Sequence, residues 1–164
     1  MKKLASIGGA MGKLLSVILL LFSFQAASTP LVFRIDDQQT ITLSQQEIAQ
    51  QFKPTTFTTQ LPWFVDEKTV TGFRVVDLLE QYGIDDYASV WFIGLNDYSS
   101  ITTKENIIQY DPIITYEMDG KTIPVRKKGP FWLMFNLSKY PELDKIEFHS
   151  QMVWQLKEIV ILKQ

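Results

Sequence analysis

Three polar side chains follow a short apolar run near the middle of the sequence. Asn96, Asp97 and Tyr98 come directly after the apolar residues 90–94 and Leu95. Aromatic and β-branched residues bounded by turn-forming residues are typical of a buried strand that ends in a loop. Such a strand would bring an amide, a carboxylate and a phenol to one point. The pattern predicts either a ligand site or an ordinary polar turn.

A basic loop is the second candidate for a binding site. Arg126, Lys127 and Lys128 are followed by Gly129 and Pro130. Glycine lets a backbone approach a ligand closely, and a guanidinium can bind a carboxylate, a phosphate or an amide-like edge through paired hydrogen bonds. The alternative is a solvated hairpin loop, where most runs of like charge are found.

Four tryptophans lie next to or within predicted strands: Trp63, Trp91, Trp132 and Trp154. This position is typical of core packing, and we predict it for the last three. Trp63 differs because Pro62 places it on a predicted loop, where its ring could stack on a flat ligand.

Several kinds of catalytic site are excluded by residue type. The sequence has no cysteine and a single histidine, His149, so a metal site built from histidine or thiolate ligands is not expected. No phosphate-binding loop, zinc pattern or nucleophile motif is present. With 18 acidic and 16 basic residues, the chain also lacks the basic character that nucleic-acid binding requires.

The first 28 residues are predicted to be a secretory signal peptide. Three lysines precede an uncharged run at residues 14–24, and Ala26, Ala27 and Ser28 follow. This order is typical of signal peptides. Cleavage would leave residues 29–164 as a single periplasmic domain of a Gram-negative bacterium, with 13 basic and 18 acidic residues. An uncleaved membrane anchor is the alternative, but it would need an apolar run of roughly 18–20 residues.

Hydrophobic periodicity predicts short strands and short helices in residues 29–164. The strands are expected at residues 31–36, 40–43, 55–61, 90–94, 113–118, 121–125, 131–136 and 153–162, and the helices at 44–52, 72–83 and 102–110. Ser44 and Glu47 form a capping box, and Gly83 stands where a glycine ends a helix. Because strands and helices do not alternate regularly, we predict the α+β class.

Five segments together resemble the molybdopterin-binding domain of the sulfite oxidase superfamily. They are residues 59–63, 72–83, 95–98, 128–130 and 153–160, in the order that the family has. The resemblance implies the family's α+β fold, with mixed sheets, short helices and a pterin pocket at the strand ends. It extends to small exported members, including the pterin-binding PruR-type proteins, which act beside membrane sensors that make or degrade cyclic di-GMP.

The sequence departs from the family where the metal is bound. Enzymes of the superfamily hold molybdenum partly through a cysteine thiolate, on a segment that corresponds to about residues 56–60. Here that segment reads Thr-Phe-Thr-Thr-Gln, and hydroxyls and amides are poor substitutes for a soft thiolate. The resemblance therefore implies a non-catalytic pterin-binding protein without a metal. A molybdenum-cofactor-dependent oxidoreductase with atypical metal ligation is the alternative.

The expected ligand is a pterin, either a tetrahydropterin or a molybdopterin-like compound. The predicted ligand-binding residues are Trp63, Asn96, Asp97, Tyr98, Arg126, Lys128 and Gly129. The expected partner is the periplasmic domain of a membrane signalling receptor, a sensor of the cyclic di-GMP or histidine kinase type. A third hypothesis is a pure interaction domain whose pocket is filled by its own side chains.

The predicted residues have complementary roles toward a flat, polar ring. Asp97 would accept hydrogen bonds from the amino and ring N–H groups, and Asn96 would pair with the carbonyl edge. Trp63 or Tyr98 would stack on the face of the ring, and the basic loop would meet its oxygenated edge or side chain.

Overall fold

Two β-sheets and four short helices form the framework of the protein within residues 29–163. The computed structural model describes residues 29–163, so the predicted signal peptide lies outside the described residues. The strands are β1 (Leu31–Arg34), β2 (Thr40–Leu43), β3 (Thr55–Thr59), β4 (Lys68–Arg74), β5 (Ser89–Gly94), β6 (Ser99–Thr103), β7 (Ile113–Met118), β8 (Lys121–Thr122), β9 (Trp132–Met134) and β10 (Leu156–Leu162). The helices are α1 (Gln45–Gln51), α2 (Val75–Gln81), α3 (Lys104–Tyr110) and α4 (Ile146–His149).

The two sheets differ in strand direction. The first sheet has the order β2-β1-β10-β5-β6, and it is mixed because β1 and β10 run parallel. The second sheet has the order β3-β4-β7-β8, and β9 also pairs with β7. Its pairings are antiparallel. The structure therefore has the predicted α+β class. Among residues 29–163, no helix combines the length and apolar character needed to span a membrane.

Two clusters of buried apolar side chains form the core. The larger cluster joins the sheets, since it contains Phe33 of β1, Phe92 of β5 and Phe73 of β4. The smaller cluster surrounds β9 and α4, and it contains Trp132 and Phe148. The smaller cluster borders the basic loop, since the Lys128 ammonium lies 5.4 Å from the ring centre of Trp132.

Local signals in the sequence correctly predict where α1 begins. The Ser44 hydroxyl accepts a hydrogen bond from the Glu47 N–H at 3.2 Å, and the Glu47 carboxylate accepts one from the Ser44 N–H at 2.8 Å. This is the predicted capping box. The hydrogen bonds from Ser44 lower the pKa of Glu47 below its ordinary value. The glycine that ends α2 is also confirmed, because Gly83 has a φ of 66°.

The helix predicted at residues 72–83 begins later than expected, at Val75. Gly72 and Phe73 belong to β4, a strand that the sequence prediction missed. Threonine pairs hold β4 to β3, since the hydroxyls of Thr56 and Thr71 lie 2.9 Å apart. No side chain caps α2 at its N-terminus, so the sequence carries no local signal for the point where the strand becomes a helix.

The predictions for the C-terminal part were partly wrong. Residues 138–151, where neither a strand nor a helix was expected, include α4. The strand predicted at residues 121–125 ends at Thr122, because a 3-10 turn occupies Val125–Lys127. The last strand begins at Leu156 rather than at residue 153, since Gln155 has a left-handed backbone with a φ of 50°.

We predict that Gly72→Ala destabilises the fold far more than Gly83→Ala does. A Cβ at Gly72 would lie 2.2 Å from the Ile114 carbonyl oxygen, whereas one at Gly83 meets nothing within 4 Å. Gly72→Ala should cost at least about 3 kcal/mol, the upper end of ordinary overpacking. Gly83→Ala should cost about 1–2 kcal/mol, from left-handed strain alone. Urea unfolding measures both, and equal losses would contradict the tight approach of β4 to β7.

Candidate functional site

The ammonium group of Lys128 lies among three tryptophan rings. Its Nζ is 3.4 Å from the ring centre of Trp154, 5.4 Å from that of Trp132 and 5.6 Å from that of Trp63. The ring centres themselves lie 5.2 to 6.3 Å apart. Cations over indole faces are attracted by the electron density of the rings. We call these three tryptophans the tryptophan cage.

Three separate segments of the chain position the cage. Trp132 is fully buried in β9, and its ring N–H donates to the Met152 carbonyl at 3.1 Å. Trp154 lies beside it because the two backbones form an isolated bridge. Trp63 stands in a turn closed by a hydrogen bond from the Phe64 N–H to the Leu61 carbonyl. The cage therefore depends on tertiary packing and not on one local motif.

The backbone of the basic loop directs Lys128 toward the cage. Lys128 has a left-handed φ of 76° after the 3-10 turn, and its carbonyl accepts a hydrogen bond from the Gln155 N–H at 2.8 Å. Gly129 follows because a Cβ there would lie 1.8 Å from the Ile123 carbonyl oxygen. Glycine is therefore required at this position because the loop packs closely against the protein's own chain. From the sequence alone, a close approach to a ligand was expected here.

Two physical effects act on the charge of Lys128 in opposite directions. Burial lowers the pKa of its ammonium below the ordinary value for lysine, because desolvation penalises the charged form. The three indole faces favour the charged form. The resulting cation is partly desolvated. It forms no salt bridge with a carboxylate of residues 29–163.

Tyr98 extends the aromatic surface around Trp154. The two rings are stacked, with centres 6.1 Å apart and planes inclined by 16°. The Tyr98 hydroxyl donates to the Ser150 carbonyl at 2.5 Å, which fixes the position of the ring. Tyr98 is still 39% exposed, so part of its surface can meet a ligand or a partner.

Asn96 and Asp97 form the turn between β5 and β6. Asp97 has a left-handed φ of 61°, and one of its carboxylate oxygens lies 2.7 Å from the Lys157 ammonium. The side-chain hydrogen bond from Lys157 lowers the pKa of Asp97. The Asn96 amide oxygen accepts weakly from the Tyr98 N–H at 3.4 Å. Because the Leu95 N–H donates to the Gln155 carbonyl, this turn is tied to the segment that carries Trp154.

A cleft of about 650 Å³ lies beside the cage, between the basic loop and the hairpin of β7 and β8. Arg126 lines this cleft together with Lys128. Phe64 also lines it, and the Phe64 ring lies 6.3 Å from that of Trp132. A second cavity of about 550 Å³ is lined by polar residues near α1 and α2, including Arg74 and Asp77, and shares no lining residue with the cleft.

The structure brings together some of the predicted site residues and separates others. Trp63, Tyr98 and Lys128 meet around Trp154, whereas Arg126 lies on the wall of the adjacent cleft. Asn96 and Asp97 are on the neighbouring turn. Gly129 lies against the Ile123 carbonyl and allows the loop to pack closely there.

Two tryptophans were assigned to the wrong environment by the sequence prediction. Trp154 was expected in the core, but it lies only half-buried in the cage. Trp91 was also expected in the core, yet it is 37% exposed on β5. The left-handed Gln155 breaks the strand after Trp154. Glutamine has no preference for this backbone conformation, so the sequence carries no local signal that separates Trp154 from the core residues of β10.

The segment at residues 56–60 does not offer a thiolate or any comparable metal ligand. Thr59 is fully buried, and its hydroxyl accepts a hydrogen bond from the Ser138 N–H at 3.1 Å. His149 pairs with Asp144 at 2.8 Å. Among residues 29–163, no three His, Cys, Asp or Glu side chains are grouped so that they could hold a metal ion. This donor set does not fit thiolate-ligated molybdenum.

Comparison with known proteins identifies a fold but not a family. No family model matches the sequence, and no curated protein matches it. Among solved structures, the chain is similar to the sulfane dehydrogenase SoxCD from Paracoccus pantotrophus, with a TM-score of 0.62 and 12% sequence identity. The match covers 83% of this chain but only 38% of the SoxCD chain. The likeness confirms the predicted fold, the α+β molybdopterin-binding type of the sulfite oxidases.

We predict that Lys157 controls the ionisation of Asp97. In wild type, the Asp97 carboxyl should titrate below its ordinary pKa of 3.8 because Lys157 stabilises the charged form. This stabilisation of the fold is present above the ordinary pKa and disappears as the pH falls through the lowered one. Lys157→Gln should raise the pKa of Asp97 toward 3.8, as measured by carboxyl-carbon NMR.

Asp119 provides the internal control for this titration. Its pKa is lowered by a different lysine, Lys68, so it should be the same in wild type and in Lys157→Gln. An unchanged pKa of Asp97 in the variant would mean that the ion pair does not form in solution.

Proposed function

We propose that the protein is a periplasmic, non-catalytic pterin-binding protein of the PruR type, which reports ligand occupancy to a membrane signalling partner. The observation that supports this proposal most directly is the tryptophan cage around Lys128, with Tyr98 and the Asp97 turn beside it. A flat ring edged by hydrogen-bond donors and acceptors matches a site made of aromatic faces next to a carboxylate.

Asp97 is the group best suited to recognise the pterin edge. Its contact with Lys157 uses one carboxylate oxygen, and its side chain is 86% exposed. The carboxylate can therefore accept hydrogen bonds from the amino group and a ring N–H of a pterin while it remains paired with Lys157. Hydrogen bonds to a charged group are stronger than those between neutral groups.

Stacking would supply the rest of the affinity. Trp63 is half-buried and Tyr98 is exposed, so each keeps ring surface for a ligand. Stacking of a base on an aromatic side chain is worth about 1–3 kcal/mol. Stacking and the carboxylate contacts together are the combination that we expect to give a micromolar dissociation constant.

Signalling requires a receptor that distinguishes the loaded protein from the empty one. Occupancy can shift the receptor's state only by the difference in its affinity for the two forms. Leu95 and Tyr98 are large, exposed side chains on the turn that would hold the ligand. They are suitable groups for a receptor domain to contact, because ligand binding at Asp97 would change their surroundings.

The alternative is a molybdenum-cofactor-dependent oxidoreductase with atypical metal ligation. The observation in its favour is the structural likeness to a sulfane dehydrogenase. Metal analysis of protein purified from a host that makes the molybdenum cofactor separates the two functions. We expect less than a tenth of an equivalent of molybdenum. Stoichiometric molybdenum would support the oxidoreductase and overturn our proposal.

The ligand itself can be identified directly. We expect protein purified natively from its own periplasm to release a pterin on denaturation, which mass spectrometry would detect, and the emptied protein to rebind a tetrahydropterin in calorimetry. If neither experiment reveals a pterin, the proposal is wrong. The Lys128 ammonium inside the cage would then favour an interaction domain whose pocket is filled by its own side chain.

We predict that Asp97→Asn weakens tetrahydropterin binding by about 10- to 100-fold, because one charge-assisted acceptor is lost. Asparagine tolerates the left-handed backbone at this position. The melting temperature should therefore stay within about 3 °C of wild type, as expected for a small change in stability. Asp37→Asn, an exposed carboxylate in the turn after β1, is the matched control and should bind normally.

Two results would contradict this role of Asp97. Unchanged affinity in Asp97→Asn would exclude the carboxylate from recognition. A large loss of stability in the same variant would mean that Asp97 acts mainly as a structural turn residue.

A further inference from the structure

The cleft beside the tryptophan cage is strongly cationic, although the chain as a whole is acidic. Its lining contains five basic side chains: Lys68, Lys121, Arg126, Lys127 and Lys128. Of the acidic residues in the described part of the chain, only Asp119 lines it. Asp119 is already engaged, since it binds the Lys68 ammonium and the Thr69 N–H, both at 3.1 Å.

The other four cations lack salt-bridge partners among the carboxylates of the described part of the chain. Within residues 29–163, the salt bridges do not include Lys121, Arg126, Lys127 or Lys128. Like charges that face one cleft repel each other, and the repulsion is greater where low-dielectric walls reduce screening by solvent. An anion bound between these side chains would remove this unfavourable energy.

Side chains, and not backbone groups, are available to bind such an anion. The N–H groups of Lys127, Lys128 and Gly129 donate to carbonyls of the same loop, those of Pro124 and Val125. The Arg126 guanidinium instead offers a planar set of donors that fits two oxygens of a phosphate or carboxylate. Lys121 and Lys127 are exposed and supply further positive charge.

The shape of the cleft favours an organic anion over an inorganic one. Phe64, Met118 and Ile123 supply apolar surface in its lining. Its volume of about 650 Å³ falls within the roughly 300–1,000 Å³ that is typical of small-molecule sites. A ligand that fills this space needs an apolar or aromatic body in addition to its charged group.

We propose that this cleft binds an organic phosphate or carboxylate with an apolar body, independently of whether that body is a pterin. The anionic group binds Arg126 and the neighbouring lysines, and the body lies against Phe64 and Ile123. This proposal shares one residue with the proposed function, because Lys128 borders both the cleft and the cage. It does not otherwise depend on that function.

Phenyl phosphate, phenol and inorganic phosphate are suitable probes, because none of them contains a pterin. Calorimetry with the emptied full-length domain, in a buffer of about 0.15 M ionic strength where the Debye length is about 8 Å, should give an affinity for phenyl phosphate at least about tenfold higher than for either of the others. Only this probe uses both kinds of surface. Phenyl phosphate that binds no more tightly than phenol would overturn the proposal.

Charge-neutralising variants locate the binding site. The triple variant Lys121→Gln, Arg126→Gln, Lys127→Gln should weaken phenyl phosphate binding at least about tenfold, through the loss of charge-assisted contacts. These side chains are exposed, so the melting temperature should change little.

A second triple variant controls for the overall charge of the protein. Lys53→Gln, Lys145→Gln and Lys163→Gln also neutralise three exposed cations, but none of these lines the cleft. This variant should bind phenyl phosphate within about twofold of wild type, since distant exposed charges are screened by salt. Equal weakening in both triple variants would overturn the proposal, because binding would then follow net charge alone.

The same probes separate this inference from the proposed function. Binding of phenyl phosphate without binding of any tetrahydropterin would support an anion-binding site in the cationic cleft and count against the pterin function. Binding of a neutral tetrahydropterin without binding of phenyl phosphate would support the pterin function and overturn the cleft proposal.

Discussion

The rest of the candidate site depends on the contact between the Lys128 ammonium and three indole rings. This contact joins the turn before β4, the strand β9 and the segment that precedes β10, which are far apart in the sequence. It also sets the position of the basic loop, whose backbone is closed by Gly129 against Ile123. The loop in turn forms one wall of the cationic cleft, so one cation connects the aromatic and the charged parts of the site.

This arrangement places two requirements on any ligand of the cage. Lys128 already occupies the space between the indole faces, with its Nζ 3.4 Å from the ring centre of Trp154. A flat ring must therefore stack on the outer surfaces of Trp63 or Tyr98, or displace the lysine side chain. Displacement would expose the ammonium to water and relieve its desolvation, but it would also remove the attraction of the indole faces.

The sequence predicts the parts of the fold that depend on neighbouring residues. The capping box at Ser44, the glycine that ends α2 and the full extent of β7 are of this kind. Features that depend on distant contacts were missed. β4 runs into α2 without a capping side chain, and the cage uses Trp154, whose apolar character fits a core strand equally well. Residue type could suggest Trp63 and Lys128 as binding groups, but only packing brings them together.

The segment at residues 56–60 has a structural use in this chain. Thr59 lies at the end of β3, where its hydroxyl accepts from the Ser138 N–H, and the Ser138 hydroxyl accepts in turn from the Gln60 N–H at 3.0 Å. These two bonds hold distant segments together and occupy polar groups of residues 59, 60 and 138. The polar residues of this segment therefore stabilise the chain, and the candidate site relies instead on aromatic faces and charge.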